Sequence, residues 1–266
     1  MSSTSIRSTL LTTGLATALV VGGFYHFKLV GHYQSEITDL KNQLEMLSPA
    51  DFAGVGPDAI ASLIGNLKRV PSGEAGSTGD AVPDNWIYGA ATARYTLVEM
   101  TDTECPYCRE HFPILKGLID SSGGHINAAL LHVPAHGEAS RNQALAIECA
   151  GEQGGSEAAW KYTERVFQST PSNGKGVSGS LTGLATALGL DGKRFAGCLD
   201  SVEAVDRVKA DLDQALKLGI TQTPSTLVVD NETGQSLVLQ GAHASGDGIL
   251  QALEGLSGQR KGANHE

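Results

Sequence analysis

The sequence predicts an α/β domain in which a β-α-β unit and a β-β-α unit are separated by a long helical segment, with an N-terminal anchor and stalk ahead of them. Three observations carry this reading. A β-prone run, Tyr95 to Met100, leads directly into Thr101-Asp102-Thr103-Glu104-Cys105-Pro106-Tyr107-Cys108 and then into residues with helical spacing. A helix-rich stretch from about Glu138 to Leu218 follows a second apolar strand. Two more strand-like runs, Thr226 to Asp230 and Ser236 to Gln240, are joined by Asn231-Glu232-Thr233-Gly234, whose Asn and Gly suit a turn.

At the N-terminus, Ser8 to Phe27 runs twenty residues without Asp, Glu, Lys or Arg. At about 1.5 Å per residue this is roughly 30 Å of helix, enough to cross a bilayer core. Residues 8–31 are therefore expected to form a transmembrane anchor, with 1–7 on the cytoplasmic side. The flanking charges, Arg7 against Lys28 and His32, give only a weak orientation signal. A cleavable signal peptide is the competing reading, but the small residues Ala16 and Ala18 lie inside the apolar run and not after it. Either reading exports the remainder of the chain.

Residues 32–70 read as a helical stalk. Ile37, Leu40, Leu44 and Leu47 recur at spacings of three and four, an a/d pattern over two heptads. A solvated stalk and a short dimerisation helix across residues 33–47 both fit. A second short helix is expected over 57–69. From Pro71 to Asp84 the composition is mostly Pro, Gly, Ser, Thr, Asp and Glu, which cannot bury apolar surface and reads as a flexible linker. The compact domain is expected over 85–257, with a helical insertion at about 138–218, a last helix at about 246–256 and a disordered tail over 258–266.

Inside the domain, YTLVEM reads as a buried strand, REHFPILKGLID as a helix through Phe112, Leu115 and Leu118, and INAALLHV (126–133) as a second strand. The formal net charge of -10 and pI near 5.2 lack the basic patch that nucleic-acid binding requires.

Cys105 and Cys108 form a CxxC pair, while Cys149 and Cys198 stand alone. A CxxC serves as half of a zinc site, a loop disulfide or a redox dithiol. Zinc wants a second close pair, which is missing, and His111 has no ligand partner near it in sequence, so no metal is expected. The redox reading has a direct physical basis. A cysteine just before a helix faces unpaired amides and the positive end of the dipole, and both populate the thiolate. Cys105 holds that position. Cys108 lies three residues on, in reach of a mixed disulfide at Cys105. Pro106 is tolerated in the first helical turn. His111, His132 and His136 read as surface or packing residues.

With these residues in view the chain resembles the thioredoxin superfamily, in its exported DsbA-like branch, which implies a thioredoxin fold with a helical insertion. The resemblance rests on CPYC at a strand-to-helix junction, on Glu99 six residues before Cys105, and on Thr223-Pro224 just before TLVVD. It implies that Glu99 is the buried acid below the cysteines, able to relay the Cys108 proton, and that the Thr223-Pro224 bond is cis and packs opposite them. Pro106, Tyr107, Thr223 and Pro224 would contact substrate. Cys149 and Cys198 would pair as a structural disulfide, as in some relatives, with two separate buried thiols as the other possibility.

The implied function is thiol-disulfide exchange on exported cysteine-containing proteins, with the Cys105-Cys108 pair as the redox carrier and no dissociable cofactor. A membrane or periplasmic partner would recycle that pair. The expected location is the inner membrane, with one span and the catalytic domain in the periplasm or outside. Pro-Tyr between the cysteines and Thr before the proline are also similar to DsbC and DsbG isomerases, so an isomerase or reductase is the alternative. A non-catalytic holdase or envelope assembly factor is a further rival, which two intact thiols argue against.

Overall fold

A computed structural model describes residues 85–263. The expected cytoplasmic segment 1–7, anchor 8–31, stalk 32–70 with its heptad over 33–47, and linker 71–84 lie outside the described residues. Among the described residues no helix is long and apolar enough to cross a membrane.

The elements in chain order are β1 (Ile87–Gly89), β2 (Tyr95–Thr101), α1 (Pro106–Ser121), β3 (Ile126–His132), α2 (Glu138–Ser169), α3 (Leu181–Ala187), α4 (Gly192–Leu199), α5 (Val202–Lys217), β4 (Ser225–Asp230), β5 (Ser236–Gln240) and α6 (Gly246–Ala263). The five strands form one sheet in the order β1-β3-β2-β4-β5. β2 and β3 are parallel, whereas β1 on β3, β4 on β2 and β5 on β4 are antiparallel. Such a mixed sheet follows from the connections. The β2-α1-β3 crossover requires parallel strands, and the five-residue connection 231–235 after Asp230 suits antiparallel ones.

All seven residues of β2 are buried, because this central strand is covered on both faces. Its alternation assigns the faces. Leu97 packs with Cys105, Cys108, Phe112 and Leu115 of α1 and with Val228. Val98 and Met100 point the other way, onto Leu131, Leu227, Val229, Leu218 and Ile220. Each fully buried aliphatic side chain here stabilises the fold by about 1.5–3 kcal/mol. Glu99 shares parity with Leu97, so the backbone carries it to the face that holds the cysteines.

Three departures from the sequence reading are local. β1 was not expected; its three residues pair Ile87 with Ala129 and Tyr88 with Ala128. α2 is kinked at Gly154 and Gly155, the latter at φ 67, a left-handed conformation that glycine adopts without steric cost. The last helix continues beyond the expected end near 256 to Ala263, into the segment expected as a tail.

Helices α2 to α5 pack with one another as a layer joined to the sheet through β1 and β3. Cys149 of α2 and Cys198 of α4 are joined as a disulfide, Cα to Cα 5.7 Å. Trp86 seats α2 against the sheet edge. Its Nε1 donates to Glu148 Oε1 at 2.9 Å, and Gly151 leaves room for the indole where a Cβ would come within 2.3 Å.

Candidate active site

The chain leaves β2 at Thr101, turns, and enters α1 with Cys105 as the residue capping its N-terminus and Pro106 in the first turn. Pro106 costs no hydrogen bond there, since first-turn amides have no helical partner. Cys105 and Cys108 are free thiols, 3% and 1% exposed. Tyr107 between them is 69% exposed and stands on the surface beside the pair.

The two sulfurs differ in acidity. The Cys105 thiol is pulled down to about 5, first by a hydrogen bond from Cys108. Burial opposes this, and the Thr223 side chain and the amides of Cys108 and Tyr107 add to it. Helix-end amides were the expected cause, but the larger contribution comes from the neighbouring thiol. Cys108 is pushed far up, by burial and then by its bond to Cys105 and the Cys105 charge, with Glu99 adding to the rise. The Asp102 amide, 3.5 Å from Cys108 Sγ, acts in the opposite sense.

Opposite the cysteines the Thr223-Pro224 peptide is cis. The Thr223 carbonyl oxygen lies 3.5 Å from Cys105 Sγ. The structure thus brings Cys105, Cys108, Pro106, Tyr107, Thr223 and Pro224 to one place at the α1 N-terminus. Glu99 lies beneath them, buried, where its Oε2 accepts from Thr226 Oγ1 at 2.7 Å and stands 3.3 Å from His111 Nε2. Cys149 and Cys198 lie in the helical layer instead, joined to each other.

Three polar residues at the site escaped the sequence reading. His111, taken as a surface or packing residue, is buried against Glu99. Asp102 holds the loop after β3. Its carboxylate accepts from the amides of Ala135 (2.8 Å), His136 (3.1 Å) and Glu104 (2.9 Å), from Ser140 Oγ, and contacts His136 Nδ1 at 2.6 Å. Glu104, immediately before Cys105, has no exposed surface and anchors the loop between α2 and α3. It accepts from the amides of Gly174 (2.7 Å), Asn173 (3.2 Å) and Gly176 (3.4 Å), from Gln143 Nε2 and from Thr170 Oγ1. Burial pushes the Glu104 pKa up, but these donors outweigh it and hold the carboxyl below its ordinary value. Ser172, buried at φ 52, completes the seam by donating to the Thr103 carbonyl at 3.2 Å. The sole signal for these roles was the placement of two acids directly ahead of Cys105.

Elsewhere, His132, Glu148 and Asp211 are buried with ligand-type atoms within 4.8 Å of one another. Those atoms are already engaged. Glu148 takes His132 Nε2 (3.0 Å), Trp86 Nε1 (2.9 Å) and Arg207 Nε (2.8 Å), and Asp211 accepts the His132 amide at 2.9 Å. The cluster ties β3, α2 and α5 together.

Fold and site together define the class: a thioredoxin fold carrying a CxxC pair on a helix N-terminus, opposite a cis-proline, with a helical insertion. Residues 81–241 match the family model described as Thioredoxin. DsbA2 of Pseudomonas aeruginosa is 36% identical, with a TM-score of 0.59 over 66% of this chain and 97% of that one. The chain belongs to the thioredoxin family, in its DsbA-like group of thiol-disulfide oxidoreductases. Disulfide bond formation protein D of Bacillus subtilis (strain 168) is 28% identical over 175 residues, which is 62% of this chain and 77% of that protein. The Na(+)/H(+) antiporter NhaA of Herminiimonas arsenicoxydans is 33% identical over 142 residues. That match takes in 53% of this chain and spans only 22% of the antiporter's length.

Proposed function

We propose that this chain donates disulfides to cysteine-containing proteins outside the cytoplasm, with the Cys105-Cys108 pair as its redox carrier. The observation that carries the reading is the asymmetry of the pair. One sulfur has its pKa pulled down to about 5 beside the Thr223 carbonyl, and the other is buried and held as a thiol. A stabilised Cys105 thiolate favours the reduced form of the pair, and a pair that prefers to be reduced is an oxidant toward its substrates.

In the forward step a substrate thiolate attacks Cys105 Sγ of the Cys105-Cys108 disulfide. The S–S bond breaks, its electron pair passes to Cys108, and the Cys108 thiolate is reprotonated by way of Glu99. A second substrate thiolate then attacks the substrate sulfur of the mixed disulfide and expels Cys105 as a thiolate. The substrate dithiol is oxidised, the enzyme pair is reduced, and a disulfide-bearing redox partner restores it. An extended substrate segment would pair with the backbone at Thr223, with Tyr107 packing beside it.

The Cys149-Cys198 disulfide supports an oxidising compartment, and the apolar run at 8–31 would tether the domain to the membrane facing it. A second reading, isomerase or reductase, draws on Pro-Tyr between the cysteines and on Thr before the cis-proline.

Oxidative refolding of a reduced multi-disulfide protein, run beside insulin reduction, tests the proposal. The full chain should accelerate refolding and Cys105→Ser should not. A wild type no faster than Cys105→Ser in either assay overturns the enzyme reading, and activity confined to insulin or scrambled substrates overturns the direction.

A further inference from the structure

We propose that His111 is a positioning residue for the exchange reaction, forming with Glu99 a charge-neutral proton store beneath Cys108. This rests on the exchange reading above and assigns a role to a residue that the reading does not use.

The placement follows from helix geometry. His111 is three residues after Cys108, so both lie on the inner face of α1 with Phe112, Leu115 and Ile119. The imidazole therefore descends to the level of Glu99, whose strand parity aims it at the same face. Nε2 stands 3.3 Å from Glu99 Oε2, with the two side chains 5% and 2% exposed. Glu99 is the charged group acting on the ring, and among the described residues Nε2 makes no hydrogen bond, the Glu99 approach being an ion-pair contact alone. From β4, only the neutral Thr226 hydroxyl reaches the carboxylate. Burial pushes the His111 pKa down, but the Glu99 charge outweighs it and leaves His111 above its ordinary value.

Charge counting gives the function. With His111 protonated, Cys108 thiol, Glu99 carboxylate and imidazolium sum to zero. When the Cys108 proton moves to Glu99, thiolate, carboxylic acid and imidazolium again sum to zero. The thiolate then attacks Cys105 Sγ of a mixed disulfide. The bond from Cys105 to the outgoing sulfur breaks, and that sulfur leaves with the electron pair. Remove the imidazole, and the same transfer has to occur with a net negative charge buried throughout, which low-dielectric surroundings oppose. Without that balance Cys108 has to lose its proton to solvent base, whose supply rises with pH.

The test separates the two sulfurs. Reduced full-length chain is mixed with dithionitrobenzoate, and the released nitrothiolate is followed by stopped flow from pH 6 to 8. The first release reports attack by Cys105 and the second reports resolution by Cys108. In the wild type the second phase should change little with pH. In His111→Phe the first phase should stay within about twofold, while the second slows about tenfold to a hundredfold at pH 6 and climbs about tenfold per pH unit. His111→Gln, polar but uncharged, should follow the Phe variant, and His111→Lys should restore the flat profile. Should His111→Phe not fold, the Gln variant carries the kinetic test. The imidazole signal of the unaltered chain carries an independent one: it should titrate above the ordinary 6.5, and fall in Glu99→Gln.

A second phase in His111→Gln that parallels the wild type, or a His111 titration at or below 6.5, overturns this inference alone. A first phase no faster than in Cys105→Ser overturns the exchange reading and this inference with it.

Discussion

Cys105 Sγ lies 3.5 Å from the Thr223 carbonyl oxygen, across 118 residues of sequence, so the helix N-terminus and the cis-proline loop meet at a single sulfur. This contact sets the sulfur at the α1 N-terminus against the backbone that precedes the cis-proline.

The first prediction concerns that sulfur's charge. With Cys105 pulled down to about 5 from an ordinary 9, alkylation of the reduced chain should follow a titration centred near pH 5. Linkage fixes the sign for stability. A depressed folded pKa stabilises above the unfolded value and loses its contribution as pH falls through the folded one. Reduced wild type should therefore gain stability over Cys105→Ser as pH rises from 5 to 9. Mass-resolved alkylation and denaturant unfolding check both; a midpoint near 9 contradicts the thiolate.

Glu104 should matter for stability out of proportion to its position in a turn. Glu104→Ala removes the shared acceptor of the part-buried amides at Asn173, Gly174 and Gly176, at a cost of about 1–3 kcal/mol. Because the native carboxyl sits below its ordinary 4.5, its contribution is present above that pH and is lost as pH falls below it. The wild type's advantage over Glu104→Gln should therefore shrink in acid, which urea titrations at pH 7 and pH 3 measure. Equal stability at pH 7 contradicts the anchoring role.

The pattern of what the sequence disclosed follows from the range of each signal. β2, β3, β4 and β5 were legible because apolar runs bounded by turn residues are local. The cysteine pair was legible for the same reason, since Cys105, Pro106 and Cys108 declare a helix N-terminus within four residues. β1 was hidden because three residues beside Ala90 and Ala91 carry no periodicity, and only pairing with β3 makes them a strand. Glu104, Asp102 and His111 were hidden more deeply. Glu104 meets Gly174 across 70 residues and Asp102 meets Ala135 across 33, and in both the donor is a backbone amide that no side chain advertises. His111 reads as one more polar helical residue until β2 is placed beneath it.

The Cys149-Cys198 bond should stabilise without taking part in exchange. It closes a separation of 49 residues, worth about 4 kcal/mol in the chain-entropy model. A Cys149→Ala, Cys198→Ala double variant should unfold at lower denaturant by that order while keeping the nitrothiolate release rates of the wild type. A loss of the first phase in a folded double variant contradicts a purely structural role.

Removing the resolving sulfur should arrest the reaction halfway. Cys108→Ser should accumulate mixed disulfides between Cys105 and exported proteins, seen as reducible high-mass species on immunoprecipitation. Free monomer alone would count against Cys105 as the nucleophile.

The most direct measurement is a redox titration of the full chain in glutathione buffers, with the Cys105 and Cys108 oxidation states read by mass after alkylation. A two-electron transition of this pair is predicted, at the oxidising end of the roughly -270 to -120 mV range of thioredoxin-fold exchangers and abolished by Cys105→Ser. A pair that stays dithiol or stays disulfide across that range would contradict the account.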